Sequence, residues 1–270
     1  MIVDAHVHLF PPRVFDAIWR WFDKHAWKIE YRLRAEEVIE FLSSRGIDRL
    51  VGLCYSHAPD MARALNRFMA ELAGAHPQLI ALGTVLPGEP DAAAIVDEAF
   101  RLGLRGLKLH CHVQKFAPDD PRMDPIYARA ADAGRPIVIH AGRQPCLAAY
   151  GVDIHALCSA GAVRRVLERH PTLTVIVPHL GIDEDGEYLA MLGELEHLYL
   201  DTTMVVAGYL GPPAIDAAAL EKHSNRILYG TDFPNIPYAW DRELDWLRAQ
   251  PISDEARARI LGANALALFS

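Results

Sequence analysis

Met1-Ile2-Val3-Asp4-Ala5-His6-Val7-His8-Leu9-Phe10 runs straight into Pro11-Pro12. A short apolar run stopped by two prolines is a buried β-strand entering a loop. Successive strand side chains point to opposite faces, so His6 and His8 share a face, one pleat apart. Two imidazoles held that way at the end of a rigid strand can grip one metal ion. Taken alone, the pair fits buried, hydrogen-bonded histidines equally well.

Working outward, the same short apolar pattern returns seven times, at Arg49–Tyr55, Leu79–Val85, Leu104–His110, Pro136–His140, Leu173–His179, Leu198–Thr203 and Arg226–Asp232. Helical periodicity fills the intervals, over Ala35–Ser44, Asp60–Ala75, Asp91–Leu102, Asp124–Ala133, Ile154–Arg169, Glu187–Leu195, Pro213–Lys222, Ala239–Ala249 and Asp254–Phe269. Gly46, Gly103 and Gly134 stand where helices stop. Eight strands alternating with helices, without a shift in composition, predict a single (β/α)8 TIM barrel over residues 1–270. An open doubly wound sheet would carry a glycine-rich loop after its first strand, where His-Val-His-Leu-Phe-Pro-Pro stands instead. Residues 11–34 read as an aromatic-rich insertion holding Trp19, Trp21, Phe22, Trp27 and Tyr31. Following the first strand directly, it begins at the catalytic mouth. It is either a wall or lid over the site or a helix packed against the barrel or a second subunit.

Composition narrows the partners. Lysine plus arginine number 27 against 35 acidic residues, a net charge of −8, and no basic run offers a grip on nucleic acid. No apolar run approaches the ~20 residues of a membrane span. The N-terminus lacks a basic leader, and four cysteines without a C-x-x-C pair read as reduced thiols. A cytoplasmic protein with a small-molecule partner is expected, and a homo-oligomer stays open.

In such barrels the active site is built at the C-terminal ends of the strands. Ile137-Val138-Ile139-His140, Val175-Ile176-Val177-Pro178-His179 and Leu228-Tyr229-Gly230-Thr231-Asp232 are each apolar until they end in a ligand-type residue. His6, His8, His140 and Asp232 together offer three nitrogens and one oxygen, suited to zinc and acceptable to manganese or iron. In Leu107-Lys108-Leu109-His110, Lys108 and His110 alternate with leucines and so face the interior. Arg143 could fork onto a substrate carboxylate or be a solvated loop residue. Tyr55 and His57 could line the pocket or simply pack. His25, His155, His197 and His223 read as surface positions, and Asp201 as either a mouth carboxylate or a cap.

The motifs Asp4-Ala5-His6-Val7-His8, Ile139-His140-Ala141-Gly142, Pro178-His179-Leu180-Gly181, Leu228-Tyr229-Gly230-Thr231-Asp232-Phe233-Pro234 and Gly262-Ala263-Asn264-Ala265-Leu266-Ala267-Leu268-Phe269 resemble the amidohydrolase superfamily. The closer likeness is to its amidohydrolase-related branch, amidohydrolase family 2, and spans the whole chain. The resemblance implies that His6, His8, His140 and Asp232 ligate a catalytic metal, with His179 beside it as a proton-transfer group or further ligand. It favours one ion over two. Binuclear relatives place a bridging carboxylated lysine or a glutamate at the fourth strand, a part open to Lys108. The other reading of Lys108 is a buried ion pair, perhaps with Asp4, and His110 would contact substrate or hydrogen-bond a ligand.

The expected mechanism is hydrolysis: a bound cation lowers the pKa of a water toward about 7. Asp232 would serve as ligand and proton acceptor while His179 orients or polarises an anionic substrate. The bond would be an ester, lactone or amide of a small carboxylated metabolite. A non-oxidative decarboxylase on the same metal site is the alternative, and a non-catalytic metal-binding protein is the alternative of another class.

Overall fold

The computed structural model describes residues 1–212 and 215–270. Its strands are β1 (Val3–His8), β2 (Arg49–Leu53), β3 (Leu79–Ala81), β4 (Leu107–His110), β5 (Ile137–His140), β6 (Val175–Val177), β7 (Leu198–Asp201) and β8 (Ile227–Leu228). All pair in parallel, β1 to β3 in one run and β4 to β8 in another. Two bridges, Gly83 to Leu107 and Val7 to Phe233, join the runs at both seams and close a (β/α)8 barrel. Backbone bonds reinforce them, from His8 N–H to Phe233 O at 2.7 Å and from Gly83 N–H to Gly106 O at 2.8 Å.

Val3, Ala5, Val51, Leu53, Ile80, Leu82, Val138, Ile176 and Leu228 form one buried cluster. Residues from so many strands can meet only inside the barrel, so this layer is its interior packing. Ala265 and Phe269 of the last helix belong to the same cluster and plug that end. The larger apolar cluster lies between strands and helices. Every residue of β1 is buried, so its two histidines are presented from a fixed element.

The eight predicted strands are all present, most of them shorter than their apolar runs. His179 and Asp232 therefore lie in turns beyond β6 and β8, with φ of 60° and 68°. A left-handed residue other than glycine is held there by its surroundings. Gly230 shows how tightly this region packs: a Cβ there would lie 2.6 Å from Thr203 Oγ1 and 2.8 Å from His6 Cβ.

Two helices differ from expectation for capping reasons. Ile154–Arg169 is broken after Leu157, because Ser159 caps a new helix (Ala160–Arg169) by accepting from Ala162 N–H. The helix expected at Pro213–Lys222 runs over Ala217–Lys222, capped by Asp216, and Pro213 and Ala214 lie outside the described residues. His223, read as a surface position, is buried at the end of that helix. No helix is long and apolar enough to cross a membrane among the described residues.

Candidate metal centre and active-site cavity

β1 and β8 converge first. His8 Nε2 lies 2.9 Å from Asp232 Oδ1, and His6 Nε2 lies 3.3 Å from the same oxygen. Zinc arms of 2.0–2.1 Å in a tetrahedron set ligand atoms roughly 3.3 Å apart, so these three atoms fit one small divalent ion. Burial, then the nearby Lys108 ammonium, pushes the His6 imidazole down to about 3. Burial alone would raise the Asp232 carboxyl, but the His8 hydrogen bond and the charges of His8, His6 and His179 outweigh it and hold the group below the usual carboxylate range. Neutral imidazoles and an ionised carboxylate are the forms a metal requires.

Behind this trio stands Asp201, the last residue of β7. Its Oδ2 accepts from His6 Nδ1 at 2.8 Å, and its Oδ1 accepts from the backbone N–H of His179 at 2.9 Å. A carboxylate on the far nitrogen of a metal-ligating histidine fixes the ring and raises its basicity. Sequence reasoning left Asp201 undecided, although β7 ends in a carboxylate just as the eighth run does.

His140 is placed differently from the expected four-ligand set. β4 and β5 pair in register with His110 opposite His140, and the two rings stack at 4.2 Å. His112 joins them from the single helical turn after β4, its ring 4.7 Å from that of His140. His110, His112 and His140 therefore form a second cluster able to hold an ion, separate from His6, His8 and Asp232. The signal for His112 was present, since His110-Cys111-His112 repeats the His-x-His of the first strand.

His179 lies between the two clusters. Its Nδ1 faces Thr203 O at 3.0 Å, and its Nε2 faces His140 Nδ1 at 3.2 Å. His140 Nε2 in turn faces Gln144 O at 3.0 Å. A carbonyl can only accept, so both outer nitrogens carry hydrogen and two neutral rings would point lone pairs at each other. Burial, then the neighbouring His110 and His112, holds the His140 imidazole well below its usual range, so that ring is neutral.

Lys108 Nζ sits 3.3 Å from His6 Nε2, while the Asp4 carboxylate is taken by Thr231 Oγ1 at 2.6 Å. The alternative of a Lys108–Asp4 ion pair does not form, and Lys108 lies against His6 instead. Burial pushes its ammonium down to about 8.

These groups face a cavity of about 380 Å³. Tyr55, His57, Lys108, His110, His140, His179 and Asp232 all line it. The helix α1 (Pro12–His25) forms its opposite wall with Val14, Ala17, Ile18, Trp21 and Phe22, followed by Trp27. Trp19 turns away and stacks on Phe15 at 5.5 Å. Arg143 does not reach the cavity. Its guanidinium pairs with Glu184 at 3.0 Å and donates to Cys158 O at 3.1 Å, so the predicted substrate fork is already occupied.

A closed parallel barrel with a histidine–carboxylate trio at the C-terminal ends of its strands defines a metallo-dependent barrel enzyme. The amidohydrolase family model matches residues 3–270, and the chain belongs to that family, whose members are metal-dependent hydrolases and decarboxylases. Among curated proteins none matches significantly. Several solved structures share the fold. An uncharacterised TIM-barrel protein from Bordetella bronchiseptica is 24% identical, with 99% of this chain and 97% of that one covered and a TM-score of 0.79. A 2,6-dihydroxybenzoate decarboxylase from Rhizobium is 18% identical, over 99% and 98%, with a TM-score of 0.69. A 5-carboxyvanillate decarboxylase from Novosphingobium aromaticivorans, solved with bound manganese, is 18% identical, over 100% and 97%, with a TM-score of 0.72.

Proposed function

We propose that the chain is a metal-dependent decarboxylase of a small aromatic carboxylate. The observation that carries this reading is the juxtaposition of the His6, His8 and Asp232 trio with a cavity walled by flat side chains, Phe10, Trp21, Phe22, Trp27, Tyr55 and Tyr150. The decarboxylases among the structural neighbours act on substrates of that kind.

A divalent ion bound by the trio supplies Lewis-acid polarisation of substrate oxygens and a more acidic water. Three protein ligands with an open position suit catalytic zinc, and manganese, seen in one neighbour, is the alternative ion. One ion is favoured, with His140 assigned to the contact with His179 rather than to the ligands. The remaining work falls to the chain's own residues. Aromatic faces of α1 and Tyr55 hold the ring flat and keep bulk water out. In decarboxylation the bond to the carboxylate breaks, carbon dioxide leaves, and its electron pair stays on the ring carbon. That carbon takes a proton, and His179 at the cavity wall is placed to pass one to it.

Hydrolysis of an ester, lactone or amide is the second reading, favoured by the ionised Asp232 carboxylate, a ready proton acceptor. A panel of hydroxylated and carboxylated benzoates, assayed for carbon dioxide release alongside aryl esters and lactones, separates the two. One aromatic acid consumed with stoichiometric carbon dioxide is the expected result. Ester or lactone turnover without it would transfer the assignment to hydrolysis, and turnover of neither class would overturn both.

A further inference from the structure

With Arg143 tied to Glu184, the cavity holds two lysines and no arginine among its described lining residues. Lys108 is committed to His6. The other is Lys115, and its placement is unusual. It follows the single helical turn Cys111–Gln114 with φ 57° and ψ 53°, a left-handed conformation that lysine rarely adopts. The turn is pinned on both sides. Lys115 N–H donates to Cys111 O at 2.8 Å, and the Gln114 side chain bridges Val85 O and His110 N–H, each at 2.8 Å. The loop is thus built to send this side chain toward the cavity.

Its side chain is exposed, and its ammonium comes to rest beside Gly151, where an added Cβ would lie 4.0 Å from Lys115 Nζ. No carboxylate of the described residues pairs with it. Asp232 is the single carboxylate lining the cavity, and the metal ligands already engage it. Tyr150 is linked to His8 of the trio through the rings of His110 and Tyr55. The rings from His8 to Tyr55, Tyr55 to His110 and His110 to Tyr150 are spaced 5.7, 5.1 and 6.4 Å. Trp21 of α1 packs against Tyr150 at 5.1 Å, and Lys115 lines the same cavity as these two rings.

We infer that Lys115 anchors a second carboxylate, on the part of the substrate remote from the metal. The substrate class is then an aromatic acid with two separated acidic groups, one directed to His6, His8 and Asp232 and one to Lys115. This rests on the aromatic-acid reading above, and its test is arranged so that the two fail differently. A charge-assisted hydrogen bond at a partly exposed rim is worth about tenfold in affinity.

Metal-loaded full-length protein, Lys115→Met and Lys115→Arg are titrated with benzoate and with isophthalate, following the emission of Trp21 and Trp27. The wild type should bind isophthalate about tenfold more tightly than benzoate, with the advantage shrinking as salt is added. Lys115→Met should erase the advantage and leave benzoate affinity unchanged, which also shows that the variant is folded. Lys115→Arg should restore it. An advantage that survives in Lys115→Met, or benzoate and isophthalate binding equally to wild type, overturns the Lys115 assignment alone. Absence of binding by either probe to wild type overturns it together with the aromatic-acid reading.

Discussion

Asp201 Oδ2 accepts a hydrogen bond from His6 Nδ1 at 2.8 Å, and through it β7 fixes the ring that β1 presents to the metal. The opposite oxygen of the same carboxylate holds the backbone of His179. One side chain therefore fixes both the His6 ring and the backbone of His179.

Asp201→Asn tests this coupling. The amide keeps the shape but loses the charge, and partners of this kind typically contribute 10–100-fold to metal affinity. Chelator competition should show a loss of that order with a circular dichroism spectrum like that of wild type. Unchanged affinity would remove Asp201 from the orienting role.

A second expectation separates the two histidine clusters. His6→Ala, His8→Ala and Asp232→Ala should each lose the ion that wild type carries at about one equivalent. His140→Ala should keep it, because His140 is bonded to His179 and Gln144 O rather than to the trio. Elemental analysis after dialysis decides. Loss in His140→Ala as complete as in His6→Ala would reinstate the four-ligand set.

These comparisons show what the sequence could carry. Strand and helix periodicity is local, so eight strands and their helices were legible, and His6 with His8 followed from alternation within one strand. Asp232 was legible as a strand-end carboxylate. The pairing of His140 with His110 was not, because it depends on register between β4 and β5, which no single strand reveals. Arg143 was misread for a related reason: its partner Glu184 lies 41 positions away in another loop. Lys115 gave no signal, since its direction is set by one left-handed residue after a four-residue turn.

His179 is expected to act in chemistry rather than in metal binding. General acid–base groups contribute ~10²–10⁴-fold. His179→Asn should lower kcat by that order on whichever aromatic acid is turned over, with metal content unchanged. Near-normal kcat would exclude His179 as the proton carrier.

The last expectation concerns stability. Glu243 is fully buried; its Oε1 accepts from Tyr238 Oη at 2.5 Å and from Met204 N–H at 3.2 Å. Burial, against the opposing Tyr238 hydrogen bond, pushes its carboxyl up to about 8, far above the 4.5 of an exposed glutamate. Between those values the folded protein retains a proton that the unfolded chain has released. Stability contributed by this group is therefore complete below the unfolded pKa and is lost as pH rises through about 8. The slope is about 1.4 kcal/mol per pH unit at most, or roughly 2–4 °C in Tm for a chain of this size. Glu243→Gln mimics the protonated acid and cannot ionise. Calorimetry from pH 5.5 to 8.5 should show the wild-type Tm falling more steeply than that of the variant, with the gap closing or reversing at the alkaline end. Parallel curves would mean that Glu243 is ionised in the fold, stabilised by a partner beyond Tyr238 and Met204.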